Sequence, residues 1–271
     1  MVSIVTIFFN EERFLQEAIT SIYKQDFDSW ELLLVDDGSQ DASSDIARAA
    51  ARAHPHRVRY FEHANHVNLG MSASRNLALA HARGTYLAFL DADDIWESTK
   101  LSAQTAVLQG APHLGMTYCA TKYWYGWTGQ EIDSERDHLY LPVNRAIELA
   151  PPHTLTELMK GSIRVPCMGS VLTKRNVLQQ CGGWENSFRG LYEDQVMISK
   201  VLMTTPVRVT TDCHDRYRQH DDSCCTIAYR DGIDAKYHRQ YIRWLYGYVT
   251  SHPNTDEALL SLVKKKFERA N

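Results

Sequence analysis

Short apolar runs alternate with segments whose apolar positions recur at helical spacing, and this alternation carries through the first half of the chain. Residues 2–9 (VSIVTIFF) read as a buried strand, after which Asn10 caps a helix with Phe14, Leu15, Ala18, Ile19 and Ile22 on one face. Residues 30–35 (WELLLV) form a second strand, and Asp36-Asp37-Gly38-Ser39, Asp41 and an Ala-rich helical segment follow it. A short strand at 57–61, a helix at 71–82 opened after Asn68-Leu69-Gly70, and a strand at 86–90 ending in Asp91-Ala92-Asp93 continue the series. Strands alternating with helices of this length predict an α/β fold with a parallel sheet and right-handed crossovers.

The second half is less regular. Residues 96–109 read as a helix and 114–120 as a strand, whereas 121–152 are polar and aromatic without a period and read as an inserted loop. Its Tyr123, Trp124, Tyr125 and Trp127 suit either a stacking platform for an acceptor sugar or the ordinary packing of a strand on its hairpin partner. A strand at 166–172, a helix at 174–180, a Gly182-Gly183-Trp184 turn and a helix from Asp194 to residue 204 follow. Residues 229–248 and 256–269 are amphipathic helices with basic and aromatic residues, suited to packing on the domain, to a membrane surface, or to a further domain.

Composition narrows the function classes. At 271 residues and 44% hydrophobic, the chain can bury one large core, and a formal net charge of −4 offers no basic field, so nucleic acid is not an expected partner. No apolar stretch approaches membrane-spanning length and no leader is visible at the start, so the expected location is the cytoplasm, with the inner face of the membrane as an alternative. The six cysteines lack zinc-site spacing and are expected to be reduced; adjacent Cys224-Cys225 suit either a reactive pair or small buried apolar groups.

The candidate chemistry sits where strands end. Acidic residues, Gly and Ser after two buried strands place polar groups at the carboxyl edge of an open sheet, where such sheets bind ligands. Asp91 and Asp93, one residue apart, are hard oxygen ligands suited to Mg²⁺ or Mn²⁺ shared with a substrate diphosphate. Alternatively, Asp93 or Asp94 caps the next helix.

The segments Thr6-Ile7-Phe8-Phe9-Asn10-Glu11, Val35-Asp36-Asp37-Gly38-Ser39, Asn68-Leu69-Gly70, Ala73-Ser74-Arg75-Asn76, Leu90-Asp91-Ala92-Asp93-Asp94 and Tyr192-Glu193-Asp194 occur in one order. In this order they resemble a family 2 glycosyltransferase of the GT-A fold, over about residues 2–223. The resemblance implies a Rossmann-like, mostly parallel sheet flanked by helices. It divides the chain into a transferase domain at 1–225, with a nucleotide-binding half at 1–110 and an acceptor half at 111–225, and a C-terminal helical extension at 226–271.

The resemblance also implies roles. Asp194 would be the general base, with Glu193 positioning substrate or neighbouring groups. Asp93 would be the direct metal ligand and Asp91 would lie near the ribose and the metal. Asp37 would accept from the uracil N–H, the backbone at Ile7 and Phe8 together with Asn10 would line the nucleotide pocket, and Arg75 would contact nucleobase or phosphate. Residues 217–223 resemble the family's closing segment, which brings Arg218 near the diphosphate and His220 to the metal or a phosphate. The implied partners are a UDP-sugar and a carbohydrate or lipid-linked acceptor, and the implied reaction inverts the anomeric centre. A catalytically silent sugar-nucleotide-binding protein would keep Asp37 and Asp93 but has no use for Asp194. A nucleotidyltransferase would need a Gly- and Lys/Arg-rich phosphate loop that the first strand lacks.

Overall fold

The runs VSIVTIF and WELLLVD are buried at every position, because helices cover both faces of the sheet they enter. The structure, a computed structural model, describes residues 1–270. Its strands are β1 (Val2–Phe8), β2 (Trp30–Asp36), β3 (Val58–Glu62), β4 (Tyr86–Phe89), β5 (Ile95–Trp96), β6 (Met116–Trp124), β7 (His138–Tyr140), β8 (Ile147–Leu149), β9 (Leu172–Lys174) and β10 (Val207–Arg218). They form one sheet in the order β3-β2-β1-β4-β9-β6-β10-β5, with β7 added to β6 and β8 to β10. The β3-β2-β1-β4 portion is parallel throughout. Beyond β4 the sheet is mixed, since β9 runs antiparallel to both β4 and β6 while β10 is parallel to β6.

The helices are α1 (Leu15–Tyr23), α2 (Ser43–Ala53), α3 (Met71–His81), α4 (Lys100–Gly110), α5 (Glu131–Ser134), α6 (His153–Lys160), α7 (Arg175–Gln180), α8 (Glu193–Leu202), α9 (Cys224–Arg230), α10 (Asp234–Ser251) and α11 (Glu257–Ala270). Successive strand residues point to opposite faces, so one sheet makes two cores. Ile4, Leu32 and Leu34 pack with Leu15, Ile19, Ala47 and Leu101 of α1, α2 and α4. Val5, Leu33 and Val35 pack on the other face with Ala78 of α3, Val196 of α8, Leu245 of α10 and Val263 of α11. The C-terminal helices therefore lie against the sheet's own core. No helix among the described residues is long and apolar enough to cross a membrane. All six cysteines are free.

Several expectations need correction. Asn10 does not cap α1: it adopts a left-handed φ of 57° and its Oδ1 accepts from Gln40 N at 2.8 Å, so the helix starts later, after Phe14. The helix expected from 96 begins at Lys100, because Ile95 and Trp96 are claimed by antiparallel pairing with Arg216 and Asp215. Neither Asp93 nor Asp94 caps it. The strand expected at 166–172 is a 3-10 turn over Met168–Ser170, followed by the short β9. The segment 121–152 is ordered: β6 runs on through Trp124, β7 and β8 add to the sheet, and Tyr123 packs on His138, Tyr140 and Tyr217 at centroid distances of 5.1, 5.5 and 5.1 Å. Outside that segment, α6 and the twelve-residue β10 were also not anticipated; the register of β10 shifts twice, and so the strand shows no steady alternation. The helix read over 229–248 is broken at Gly232, where φ is +67°, into α9 and α10.

Candidate active site

Parallel pairing brings the carboxyl ends of β1, β2 and β4 to one edge, with Phe8 opposite Asp36 and Val5 opposite Phe89. The chain leaves β1 on one side toward β2 and returns on the other to β4, the kind of crevice in which open sheets bind ligands. Ile7 and Phe8 bury their side chains there, 8% and 3% exposed, so only their backbone can line a pocket.

The two carboxylates after β2 differ. Asp36 is fully buried and accepts from Ser39 N at 2.8 Å, Tyr60 Oη at 3.0 Å and Ser44 Oγ. Burial raises its pKa, but these hydrogen bonds outweigh burial and hold it below the usual carboxylate range. Asp37 accepts from the backbone N–H groups of Leu69, at 2.8 Å, and Gly70, at 3.0 and 3.1 Å to its two oxygens. It thereby ties the 68–70 turn to the end of β2. Gly38 is required beneath that turn: its φ is +87°, and a Cβ there would meet Asn68 N and His66 O at 2.9 Å.

After β4, Asp91 and Asp93 face different partners. Asp91 Oδ1 accepts from Arg75 Nη2 at 3.0 Å, and Asp93 Oδ2 lies 3.1 Å from His220 Nε2. Asp91 Oδ2 and Asp93 Oδ1 have no protein partner among the described residues. Burial and the neighbouring Asp93 carboxylate raise the Asp91 pKa against the lowering effect of Arg75. Asp94 is pushed well above its ordinary value by burial and by Asp93 and Asp91. No cluster of three or more His, Cys, Asp or Glu side chains is gathered around a point among the described residues. The carboxylate oxygens of Asp91 and Asp93 are of the hard type that Mn²⁺ or Mg²⁺ takes, but with His220 they do not converge on one point.

Two residues that the resemblance places near the nucleotide make protein contacts in this structure. Arg218 is 3% exposed; its Nε donates to Asp93 O at 2.6 Å, its Nη2 to Glu17 Oε2 at 2.5 Å, and its guanidinium stacks over Phe14 and Trp124 at 4.5 and 4.6 Å. It braces the Asp93 backbone. Arg75, also 3% exposed, is turned inward between Asp91 and Glu193 Oε1. The two carboxylates hold its pKa above the usual arginine value although burial alone would lower it.

Glu193 and Asp194 open α8. The preceding Tyr192 has a left-handed φ of 72°, an uncommon conformation for an aromatic residue that turns the chain sharply into the helix. Glu193 is 4% exposed, and its Oε2 is buried with no partner. Burial pushes its pKa up to about 7, against the opposing pull of Arg75. Asp194 is half-buried, its Oδ1 accepts from Gln195 N at 2.7 Å, and burial with the Asp91 charge raises its pKa above the ordinary value.

One residue here had been assigned no role. Glu11 is half-buried, and burial together with Asp93, Asp41, Asp91 and Asp222 pushes its pKa up to about 8. Its place beside Asn10 in the first motif was the available signal.

With this geometry, comparison with known proteins is decisive. The family model for Glycosyl transferase family 2 matches residues 3–180. The chain belongs to that family. Among family 2 relatives, the putative glycosyltransferase EpsE of Bacillus subtilis (strain 168) is 38% identical over 112 residues, 41% of this chain and 40% of EpsE. The UDP-Glc:alpha-D-GlcNAc-diphosphoundecaprenol beta-1,3-glucosyltransferase WfgD of Escherichia coli is 34% identical over 108 residues, 40% of this chain and 41% of WfgD. The match thus spans about two fifths of either relative's length. Among solved structures, S. aureus TarS 1-349 in complex with UDP-GlcNAc superposes with a TM-score of 0.74 at 16% identity, over 99% of this chain and 72% of that one. The mannosyltransferase PcManGT from Pyrobaculum calidifontis, in complex with GDP-Man and Mn²⁺, gives 0.63 at 17% identity, over 98% and 68%. At such identities the likeness is one of fold, and the fold of this family 2 chain is GT-A.

Proposed function

We propose that this chain is an inverting glycosyltransferase that moves a sugar from a UDP-sugar to a hydroxyl on a glycan or lipid-linked cell-envelope acceptor. Residues 1–225 would be the transferase unit and 226–271 its helical extension, with the exposed Lys264, Lys265 and Arg269 of α11 available to an anionic membrane surface. The observation that carries the reading is Asp194: a half-buried carboxylate at the first turn of α8, linked through Glu193 and Arg75 to the acidic edge after β4. Family membership, the UDP-GlcNAc bound to TarS and the diphosphoundecaprenol-linked acceptor in WfgD's name favour the donor and acceptor classes.

In this reading the nucleotide lies along the carboxyl edge, against the backbone of Ile7 and Phe8, with Asn10 and the Asp37-anchored turn on either side. The acceptor oxygen attacks the anomeric carbon from the face opposite the diphosphate, forming the new C–O bond as the bond to the diphosphate oxygen breaks. Asp194 takes the hydroxyl proton, and the nucleoside diphosphate leaves with the electron pair. Displacement in one step inverts the anomeric centre. A Mn²⁺ or Mg²⁺ held by Asp93, with Asp91 and His220 beside it, would supply positive charge where the diphosphate departs. Crowded negative charge supports this: burial and mutual repulsion hold Glu11, Asp91 and Asp94 above their ordinary pKa values, and a divalent cation would relieve that repulsion.

Calorimetry of UDP binding to the wild type and to Asp93→Ala, with and without Mn²⁺, tests the reading. Mn²⁺ should tighten binding to the wild type and have little effect on the variant. Equal affinity in all four conditions would remove the metal role.

A further inference from the structure

Helix α3 holds the segment that leads to the base. Ser72 Oγ donates to Phe188 O at 3.0 Å, and Asn76 bonds Trp184 N and O, each at 2.9 Å. Gly183 fits so closely beneath Asn76 that a Cβ would lie 2.4 Å from its Oδ1. Between these anchors Arg75 reaches Asp91 with one arm of its fork and Glu193 with the other. Ser72, Arg75 and Asn76 thus clasp the base-bearing segment.

We propose that Arg75 is a positioning residue: by bridging Asp91 at the sugar-donor edge and Glu193 at the start of α8, it sets where Asp194 stands relative to the bound sugar-nucleotide. The inference rests on the reading of Asp194 as base and of the Asp91 edge as the nucleotide site. Swinging Arg75 out to a phosphate would strand both oxygens of a buried Glu193, since Oε2 already lacks a partner, and an uncompensated buried charge is strongly unfavourable. The planar fork is what allows one cation to serve two carboxylates in fixed directions, and a lysine ammonium cannot reproduce it. A ligand that orders Asp91 through its free Oδ2 therefore also orders Arg75, Glu193 and the first turn of α8.

Arg75→Lys keeps the charge and loses the bridge. Three measurements on the full chain decide the matter: Mn²⁺-UDP affinity by calorimetry, hydrogen exchange of the 192–196 amides with and without Mn²⁺-UDP, and sugar release from the donor that a nucleotide-sugar panel identifies. UDP affinity should change by no more than about threefold, since the binding contacts are retained. Turnover should fall about 100-fold, the scale expected for a misplaced reacting group. The slowing of 192–196 exchange by Mn²⁺-UDP, expected in the wild type, should disappear in Arg75→Lys.

A parallel fall in UDP affinity and turnover would make Arg75 a nucleotide contact and overturn the inference. Unchanged turnover, or a wild type whose 192–196 exchange ignores Mn²⁺-UDP, would overturn it as well. If Arg75→Lys does not fold, the double variant Arg75→Gln/Glu193→Gln, which leaves no unpaired charge at position 193, should give the same signature. Asp194→Asn separates the two levels: it should keep the ligand-induced protection while losing turnover. Retained turnover there would refute the base while leaving the exchange result to decide Arg75.

Discussion

Replacing Asp194 by Asn isolates proton transfer from every other task of the site. The side chain keeps its shape, and its amide oxygen can still accept from Gln195 N, which lies 2.7 Å from Oδ1. What it loses is the ability to take the acceptor proton. A positioned base contributes about 100- to 10,000-fold, or about 2.7 to 5.4 kcal/mol of barrier at about 1.36 kcal/mol per decade. Donor affinity should survive, because Asp194 has no bond to Asp91, Asp93 or the Asp37-anchored turn. Stability should barely move. The lost charge at a helix start costs about 0.3–1 kcal/mol, and relief of the burial that raises its pKa opposes this. The sign follows from that direction: the folded state retains a proton that the unfolded chain has released, so in the wild type this carboxyl lowers stability as pH rises above the ordinary Asp range, and the variant escapes that loss. Only the deprotonated carboxylate accepts a proton, so wild-type turnover should climb with pH through the raised Asp194 pKa, and that limb should vanish in the variant. The assay is nucleotide release at saturating donor and acceptor across pH, with UDP calorimetry alongside. Wild-type turnover in Asp194→Asn, or abolition by Glu193→Gln alone, would refute the assignment.

Asp37→Ala frees the Leu69 and Gly70 N–H groups as well as any uracil contact, so it should loosen the 68–70 turn and weaken UDP by about 10- to 100-fold, from about 1 to 3 kcal/mol per unpaired group. If calorimetry then finds the ratio of UDP to CDP affinity unchanged, Asp37 acts through the turn alone and does not read the base. Lys100 is fully buried, donates to Gln104 Oε1 and Val171 O, and burial pushes its pKa down to about 8 from 10.5. Between those values the unfolded chain binds a proton that the folded one does not, so wild-type stability should rise with pH there, while below about 8 the buried charge is carried at full penalty. In thermal melts Lys100→Met should therefore gain most on the wild type near neutral pH, with the advantage shrinking toward pH 10.5; a constant difference from pH 7 upward would count against a buried charged lysine.

The alternation of buried runs and helical spacing through residue 90 was enough to place β1 to β4, α1 to α3 and the acidic strand ends, because those elements are local and each is buried on its own pattern. Ordered motifs identified the family and named Asp91, Asp93, Glu193 and Asp194 as candidates. What no local pattern carried was partnership across long sequence distances. Trp96 became strand instead of helix because Asp215 pairs with it, and β10 hid behind two register shifts. The protein partners of Arg75 and Arg218 were hidden for the same reason. A guanidinium in a motif has no visible partner in sequence, and only the folded chain brings Glu193, 118 positions away, to Arg75, and Glu17, 201 positions away, to Arg218. Residue type and spacing thus determined which chemistry the chain possesses. Tertiary packing, by bringing distant segments together, determined which of those charged groups pair with one another.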